Sequence, residues 1–223
     1  MDYPIGKAAV VFGAIASTLF GLCACGGGDS APPAVVAQIY SDPAFDGDIE
    51  QTAPSSYTVT QGMSPSVQSV LVGIDPVGGT EFRTFLDFPL SGPSGVPGNA
   101  HIDSAYLEFY VDDLQPGSEV LPIRIDLVAF EPPTLVETDF ERDLQPALAS
   151  TTLGSPLSPG DIGHHVIIDV TGLMIVAQQH GLQDFQVRIL EDLGPAIYAL
   201  ASIDDSTGAA RPDFAPVLTV TYY

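Results

Sequence analysis

The feature of the sequence that most constrains its fold is an alternation of side chains within positions 102–111, IDSAYLEFYV, which is regular from Ala105 to Val111. In a β-strand, successive side chains point to opposite faces, so a period of two separates a buried face from an outward one. The outward face carries Tyr106, Glu108 and Tyr110. The inward face carries Ala105, Leu107, Phe109 and Val111. The pattern predicts a strand that is buried on one side only, as in an antiparallel sheet.

Further strands are predicted along the chain. Residues 121–130, LPIRIDLVAF, repeat the scheme with Arg124 and Asp126 outward, and are expected to pair with 102–111. Strands are also predicted at 164–170, 185–190, 197–203 and 217–222. The chain contains 22 glycines and 20 prolines, which favour many turns between short strands. A single helix is predicted over 172–180, capped by Asp169 or Thr171 and ended by Gly181. The sequence therefore predicts an all-β fold, an antiparallel β-sandwich of the jelly-roll type with one short helix.

The only two cysteines stand close together near the N-terminus, in LCACGGGDS. Their spacing is too tight for an unstrained disulfide, and no further cysteine or nearby histidine completes a zinc site. Residues 8–22 have the length of a signal-peptide core and are short for a membrane span, although an uncleaved apolar helix is the alternative.

The residues around Cys25 resemble the lipobox of bacterial lipoproteins, with Leu22 at minus three and Ala24 at minus one. The resemblance implies a signal peptide over 1–24, a lipidated Cys25 with a flexible tether over 25–44, and a folded domain over 45–223. It also implies a lipid-anchored protein of the bacterial cell envelope. Because Gly26 and not Asp follows the cysteine, the outer membrane or cell surface is favoured.

The chain is strongly acidic, with 28 acidic and six basic residues and a formal net charge of −22. Without the predicted signal peptide, five arginines are its only fixed cations. We do not expect nucleic-acid binding, because it needs clustered cations. The acidity suits plain solubility on an extracellular surface, calcium binding or a saline environment.

Several segments in order resemble the DNRLRE domain, a family related to alginate-type carbohydrate-binding modules. They are DGDI at 46–49, RTFLDF at 83–88, IDSAYLEFYV at 102–111, IIDVTGLMIVAQQHG at 167–181 and SIDDSTGAARPDFAPVLTVTY at 202–222. The resemblance implies a β-sandwich of secreted and surface proteins, which often stands beside carbohydrate-active or adhesive modules.

The sequence contains neither a GxSxG nor an HExxH motif, so we expect a protein that is not an enzyme. If the strands pair as predicted, one polar and aromatic face could stack a sugar ring and bind its hydroxyls, and five arginines would suffice for an acidic glycan. The alternative is ordinary cross-strand packing. The predicted ligand-binding residues are Tyr106, Glu108, Tyr110, Arg124, Asp126 and Arg188.

A structural calcium is the one cofactor that the sequence suggests, because calcium takes six to eight oxygen ligands. The densest group of acidic residues lies in SDPAFDGDIE and comprises Asp42, Asp46, Asp48 and Glu50. Asp204 and Asp205 form a second candidate. A merely solvated loop is the alternative.

These observations predict a non-catalytic envelope lipoprotein whose β-sandwich binds surface or extracellular polysaccharide or acts as an adhesive module. The alternative is an assembly lipoprotein that binds other envelope proteins and has no glycan site. The expected partners are the membrane, through the N-terminal lipid, and either polysaccharide or protein, with no nucleic acid.

Overall fold

A computed structural model describes residues 33–116, 119–130, 133–192 and 198–223. The predicted signal peptide and Cys25 lie outside the described residues. The compact domain begins at Pro33 and not at residue 45, because the first strand pairs with the last one. Part of the segment predicted as tether, residues 33–44, therefore belongs to the fold.

The described chain consists mainly of antiparallel strands, which confirms the predicted all-β class. The twelve strands are β1 (Val35–Tyr40), β2 (Gly47–Ala53), β3 (Ser56–Gln61), β4 (Ser69–Ile74), β5 (Glu81–Pro89), β6 (Ile102–Gln115), β7 (Ile123–Val128), β8 (Ala149–Thr152), β9 (His164–Asp169), β10 (Asp184–Glu191), β11 (Leu200–Asp204) and β12 (Val217–Tyr222). The helices are α1 (Thr171–Gln179) and α2 (Arg211–Phe214), with 3-10 turns at Glu137–Asp139, Pro159–Asp161 and Gly208–Ala210.

The strands form a curled sheet with two layers, which is the predicted sandwich. The first layer has the order β9-β6-β12-β1, and β11 pairs with the second half of β6. The second layer has the order β3-β2-β5-β10-β7-β8. Strand β4 pairs with both β11 and β5 and so connects the two layers along one side.

One apolar core lies between the layers. The inward residues of β6, which the alternation predicted, are all buried in it. They pack in the same cluster as the inward residues of the facing layer, among them Leu86 and Phe88 of β5 and Phe185, Val187 and Ile189 of β10. Burial of these side chains is the main stabilising contribution, because the described part contains no cysteine and so no disulfide.

Helix α1 packs against β6 of the first layer and β8 of the second. It buries Leu173, Met174 and Ala177 in the core. At the C-terminal end, Gly181 takes a left-handed conformation with φ of 64°, as predicted. The predicted cap at the other end was wrong: the N-cap residue is Val170, and no side chain makes a capping hydrogen bond. The Asp169 carboxylate accepts a hydrogen bond of 2.9 Å from the backbone N–H of Thr171, and the Thr171 hydroxyl accepts one from the backbone of Ala105. No helix within the described ranges has the length and apolar character needed to cross a bilayer.

A loop segment, residues 133–148, covers the outer side of the second layer. We call it the cover segment. Its Leu135 and Phe140 pack with Ile49, Phe85 and Val128 of the strands beneath, in an apolar cluster separate from the main core. The second layer is therefore buried on both sides. On the outer side of the first layer, Phe214 of α2 packs against Tyr110 at one end, while Tyr106 stays exposed.

Candidate functional site

The predicted six-residue ligand face is divided between the two outer sides of the sandwich. Strand β6 pairs with β9, β11 and β12, whereas β7 pairs with β10 and β8. Strands β6 and β7 are consecutive in the sequence but lie in opposite layers, because the chain crosses from one layer to the other between them. The expectation that they are neighbours was wrong.

One half of the predicted face, formed by Arg124, Asp126 and Arg188, lies beneath or beside the cover segment. Arg188 is fully buried, and its Nη2 donates to Asp126 Oδ2 over 2.9 Å. Its Nη1 donates to the backbone carbonyls of Asp139 and Gln145, at 2.9 and 3.1 Å. Arg188 therefore fastens the cover segment to β10 and is not accessible to a ligand.

The carboxylate of Asp126 is the centre of this buried network. Its Oδ1 accepts hydrogen bonds from Arg124 Nε at 2.8 Å and from Ser150 Oγ at 2.6 Å, and Arg142 lies 3.5 Å from Oδ2. Burial alone would raise the pKa of Asp126, but the hydrogen bonds from Ser150, Arg124 and Arg188 hold it below its usual value. Asp126 is thus a charged structural group.

The other half of the predicted face, on β6, lies on the outer side of the first layer. The strand register places Tyr106 between Asp169 of β9 and Thr219 of β12, with Gln38 of β1 beyond. The next row holds Glu108 between Ile167 and Val217, with Tyr40 beyond, and Tyr110 stands opposite His165. We call these residues the open face: Gln38, Tyr40, Tyr106, Glu108, Tyr110, His165, Ile167, Asp169, Val217 and Thr219.

The open face combines an exposed aromatic ring with groups that form hydrogen bonds. The Tyr106 side chain is 42% exposed, and its neighbours Gln38 and Asp169 are exposed too. His165 Nδ1 lies 3.0 Å from Glu108 Oε1. The Tyr110 ring is held edge-on between His165 and Phe214 of α2, at centroid distances of 5.2 and 4.8 Å. The surface therefore offers both a π face and polar groups.

Sequence reasoning predicted only the β6 part of the open face. The consecutive positions of His164 and His165 predict that their side chains point to opposite sides of a strand. They do not predict which other strand pairs with that strand. The contributions of β1, β9 and β12 depend on register between distant segments, which no local pattern reveals.

The four carboxylates predicted to hold calcium do not converge. Asp42 accepts a hydrogen bond from the backbone of Ala44, Asp48 accepts one from Leu71, and Asp46 accepts one from Asp87. Glu50 lies further along β2 and is half-buried. Burial raises the pKa of Asp48 to about 6. Within the described residues, no group of three or more acidic, histidine or cysteine side chains is placed to hold a metal ion.

Asp46 instead meets Asp205, from the second predicted acidic candidate. Both side chains are fully buried, and burial followed by the negative charge of Asp205 raises the pKa of Asp46 well above its usual value. Ser41 lies close enough to lower that pKa, although its hydroxyl does not reach hydrogen-bond geometry. Arg211 Nη1 lies 3.9 Å from Asp205 Oδ1. Sequence reasoning identified both acidic stretches but not their meeting.

The class that the fold and surface define is an antiparallel β-sandwich domain with one covered and one open outer face. Comparison of the chain with models of known protein families finds no match, and comparison with curated protein sequences finds none either. The resemblance to the DNRLRE domain therefore stays a prediction.

Proposed function

We propose that the protein is a non-catalytic, lipid-anchored envelope protein whose β-sandwich binds extracellular polysaccharide through the open face. The observation that supports this most is the exposed Tyr106 ring within a four-stranded surface, with β9 on one side and β12 and β1 on the other. A sugar ring presents C–H groups that pack on an aromatic face, and hydroxyls that need donors and acceptors at its edge. Gln38, Asp169 and Thr219, in the same row, supply those groups.

The charges of the open face favour a neutral glycan over an acidic one. The face carries the carboxylates Glu108 and Asp169, and His165 is its only group that can become cationic. An acidic glycan would need accessible arginines for bidentate carboxylate contacts. The two carboxylates would repel an acidic glycan, and the net charge of −22 would repel it further.

All five arginines are engaged elsewhere. Four belong to the outer side of the second layer: Arg83, Arg124, Arg142 and Arg188 bond to Glu81, to Asp126 or to carbonyls of the cover segment. The fifth, Arg211, borders the open face at 5.7 Å from the Tyr40 ring, but its Nη2 donates to the Ser41 carbonyl. The arginines thus stabilise the fold and leave the open face to a neutral ligand.

The lipid anchor belongs to the same proposal. A diacylglyceryl group on Cys25 would hold the domain at the outer membrane or cell surface, with residues up to Pro32 as the tether. In that position the domain would hold matrix or capsule polysaccharide close to the cell.

Affinity electrophoresis of the full chain tests the proposal directly. Non-denaturing gels would contain a neutral glucan or mannan, or an acidic alginate or polygalacturonate. We expect retardation in a neutral gel and none in the acidic gels. The variant Tyr106→Ala should lose about tenfold in affinity, because a central aromatic contact typically dominates such a surface.

Tyr198→Ala is the matched control, since Tyr198 is similarly exposed but lies outside the open face. This variant should be retarded like the natural chain. Retardation that survives Tyr106→Ala, or that occurs only in acidic gels, would contradict the assignment of the open face.

A second candidate function is assembly with other envelope proteins. Strands β1 and β9 are edges of the first layer, and within the described residues each has one strand partner only. Val36 and Ile167 on these edges are 61% and 60% exposed. Such edges can pair with a further strand. Failure of every gel to retard the chain, together with oligomers in sedimentation, would favour this function.

A further inference from the structure

A buried polar site lies where the connection from β1 to β2 meets the chain between β11 and α2, and it is independent of the open-face proposal. Ser41 follows β1, Asp46 precedes β2, Asp205 follows β11 and Arg211 begins α2. Backbone hydrogen bonds fix these segments, from Ser41 N to the Pro216 carbonyl at 3.0 Å and from Asp205 N to the Gln68 carbonyl at 2.8 Å. The site is therefore preformed by the fold.

The site contains oxygen atoms that are buried without hydrogen-bond partners. They are Asp46 Oδ2, both carboxylate oxygens of Asp205 and the Ser41 hydroxyl. The three side chains are 0% exposed, so water does not solvate them from the surface. Buried polar groups are nearly always paired, and buried charges are paired or coordinate a metal.

The protein supplies too little positive charge to neutralise this site. Arg211 is the cation nearest to Asp205, and it faces two carboxylates. Its Nη1 stands 3.9 Å from Asp205 Oδ1 without forming a hydrogen bond, while its Nη2 is used by the Ser41 carbonyl. Arg211 can balance only one of the two buried carboxylates. Because the negative charges of Asp204 and Asp42 also act on Asp205, the site can accept both charges of a divalent cation.

We propose that Ser41, Asp46 and Asp205 bind a divalent cation of the calcium type. The available donors are all oxygens, carboxylate and hydroxyl, which are the ligands of hard cations such as Ca²⁺. No sulfur or imidazole group is among the residues that form the site, so it does not have the donors that zinc prefers. Two segments far apart in the sequence supply these ligands, so the ion would tie the connection between β1 and β2 to the end of β11.

Binding of this kind stabilises the folded state, because the site does not exist in the unfolded chain. The corner of the open face lies next to it, since Arg211 touches both the Ser41 carbonyl and the region of the Tyr40 ring. The cation would therefore hold that corner in place without belonging to the glycan-contacting surface.

The experiment uses the full chain, freed of metal by a chelator and then supplied with CaCl₂. Equilibrium dialysis with radioactive calcium should show an ion that is lost from both Asp46→Asn and Asp205→Asn. At a hundredfold excess over the dissociation constant, calcium should raise the Tm of the natural chain by about 5–10 °C, measured by circular dichroism. Neither variant should show this increase.

Both variants should fold, since an amide in place of either carboxylate removes the repulsion between the two acids. The amide at position 46 keeps an oxygen that can accept the hydrogen bond from Asp87 N–H. Without calcium, their Tm should equal or exceed that of the metal-free natural chain. Glu50→Gln is the matched control, as Glu50 lies on β2 outside the site, and it should retain both binding and the rise in Tm.

Two results would overturn the proposal. In the first, calcium leaves the Tm of the natural chain unchanged, and lowering the pH from 7 to 5 raises this Tm more than it raises the Tm of Asp46→Asn. Since Asp48, whose pKa is about 6, is present in both chains, the excess would show that the two carboxyls share a proton. In the second, calcium binds the natural chain and the two Asn variants alike, which would assign it to the acidic surface. Neither result depends on whether any polysaccharide retards the protein.

Discussion

The two outer faces of the sandwich start from the same kind of sequence and end in opposite environments. On β10 the outward Arg188 is fully buried, because the cover segment lies across it and accepts its hydrogen bonds. On β6 the outward Tyr106 stays exposed, because no described segment crosses it. An outward polar or aromatic residue on a strand thus shows that the side chain leaves the core. Whether it meets solvent depends on what else folds over it.

The difference also separates stability from binding. The covered face places its arginines and Asp126 in a network that fixes a long loop. The open face has few such constraints and presents its polar groups to solvent. Substitutions on the covered face should therefore change the free energy of unfolding, and substitutions on the open face should change ligand affinity.

The largest effect is expected for Asp126→Ala. The substitution leaves Arg188 buried without its carboxylate partner, which should destabilise the fold by about 3–5 kcal/mol. Urea unfolding at pH 7, followed by circular dichroism, measures this change. A loss below about 1 kcal/mol would show that the carbonyls of Asp139 and Gln145 suffice for Arg188, and the distinction between the two faces would weaken.

A smaller effect is expected from pH. The pKa of Asp126 is below its usual value in the folded state, so its charge stabilises the fold above the unfolded pKa of about 3.9. This contribution is lost as the pH falls through the lower folded pKa. The difference in unfolding free energy between the natural chain and Asp126→Asn should therefore shrink from pH 5 to pH 3. A difference that is constant over this range would contradict the assignment of a charged Asp126.

The smallest effect on stability is expected for Glu108→Gln on the open face. The Glu108–His165 pair is about one-third to two-fifths exposed, and exposed ion pairs contribute at most about 1 kcal/mol. The unfolding free energy at pH 7 should change by less than that amount. A loss comparable to that of Asp126→Ala would mean that the open face is also a structural network.

The sequence predicts elements more reliably than it predicts their neighbours. The alternation over 102–111 predicted strand β6 and its buried side, and Gly181 predicted the end of α1, because both depend on local geometry. The predicted pairing of β6 with β7 was wrong. The chain crosses from one layer to the other between these strands, and no local pattern in the sequence marks that crossover.

The same limit applies to the sites. The cover segment has no sustained periodicity, so the burial of Arg188 could not be predicted. The meeting of Asp46 with Asp205 likewise depends on how two segments far apart in the chain fold together. Each acidic stretch is visible in the sequence. Only the fold shows that Asp46 of the first stretch lies beside Asp205 of the second.

The measurement that most directly tests the account is hydrogen–deuterium exchange of the full chain with and without the neutral polysaccharide that retards it. We expect slower exchange on binding in β1, β6, β9 and β12, which form the open face, and no change in the cover segment. Protection confined to residues 133–148, or no protection at all, would contradict the central claim that the open face binds and the covered face stabilises.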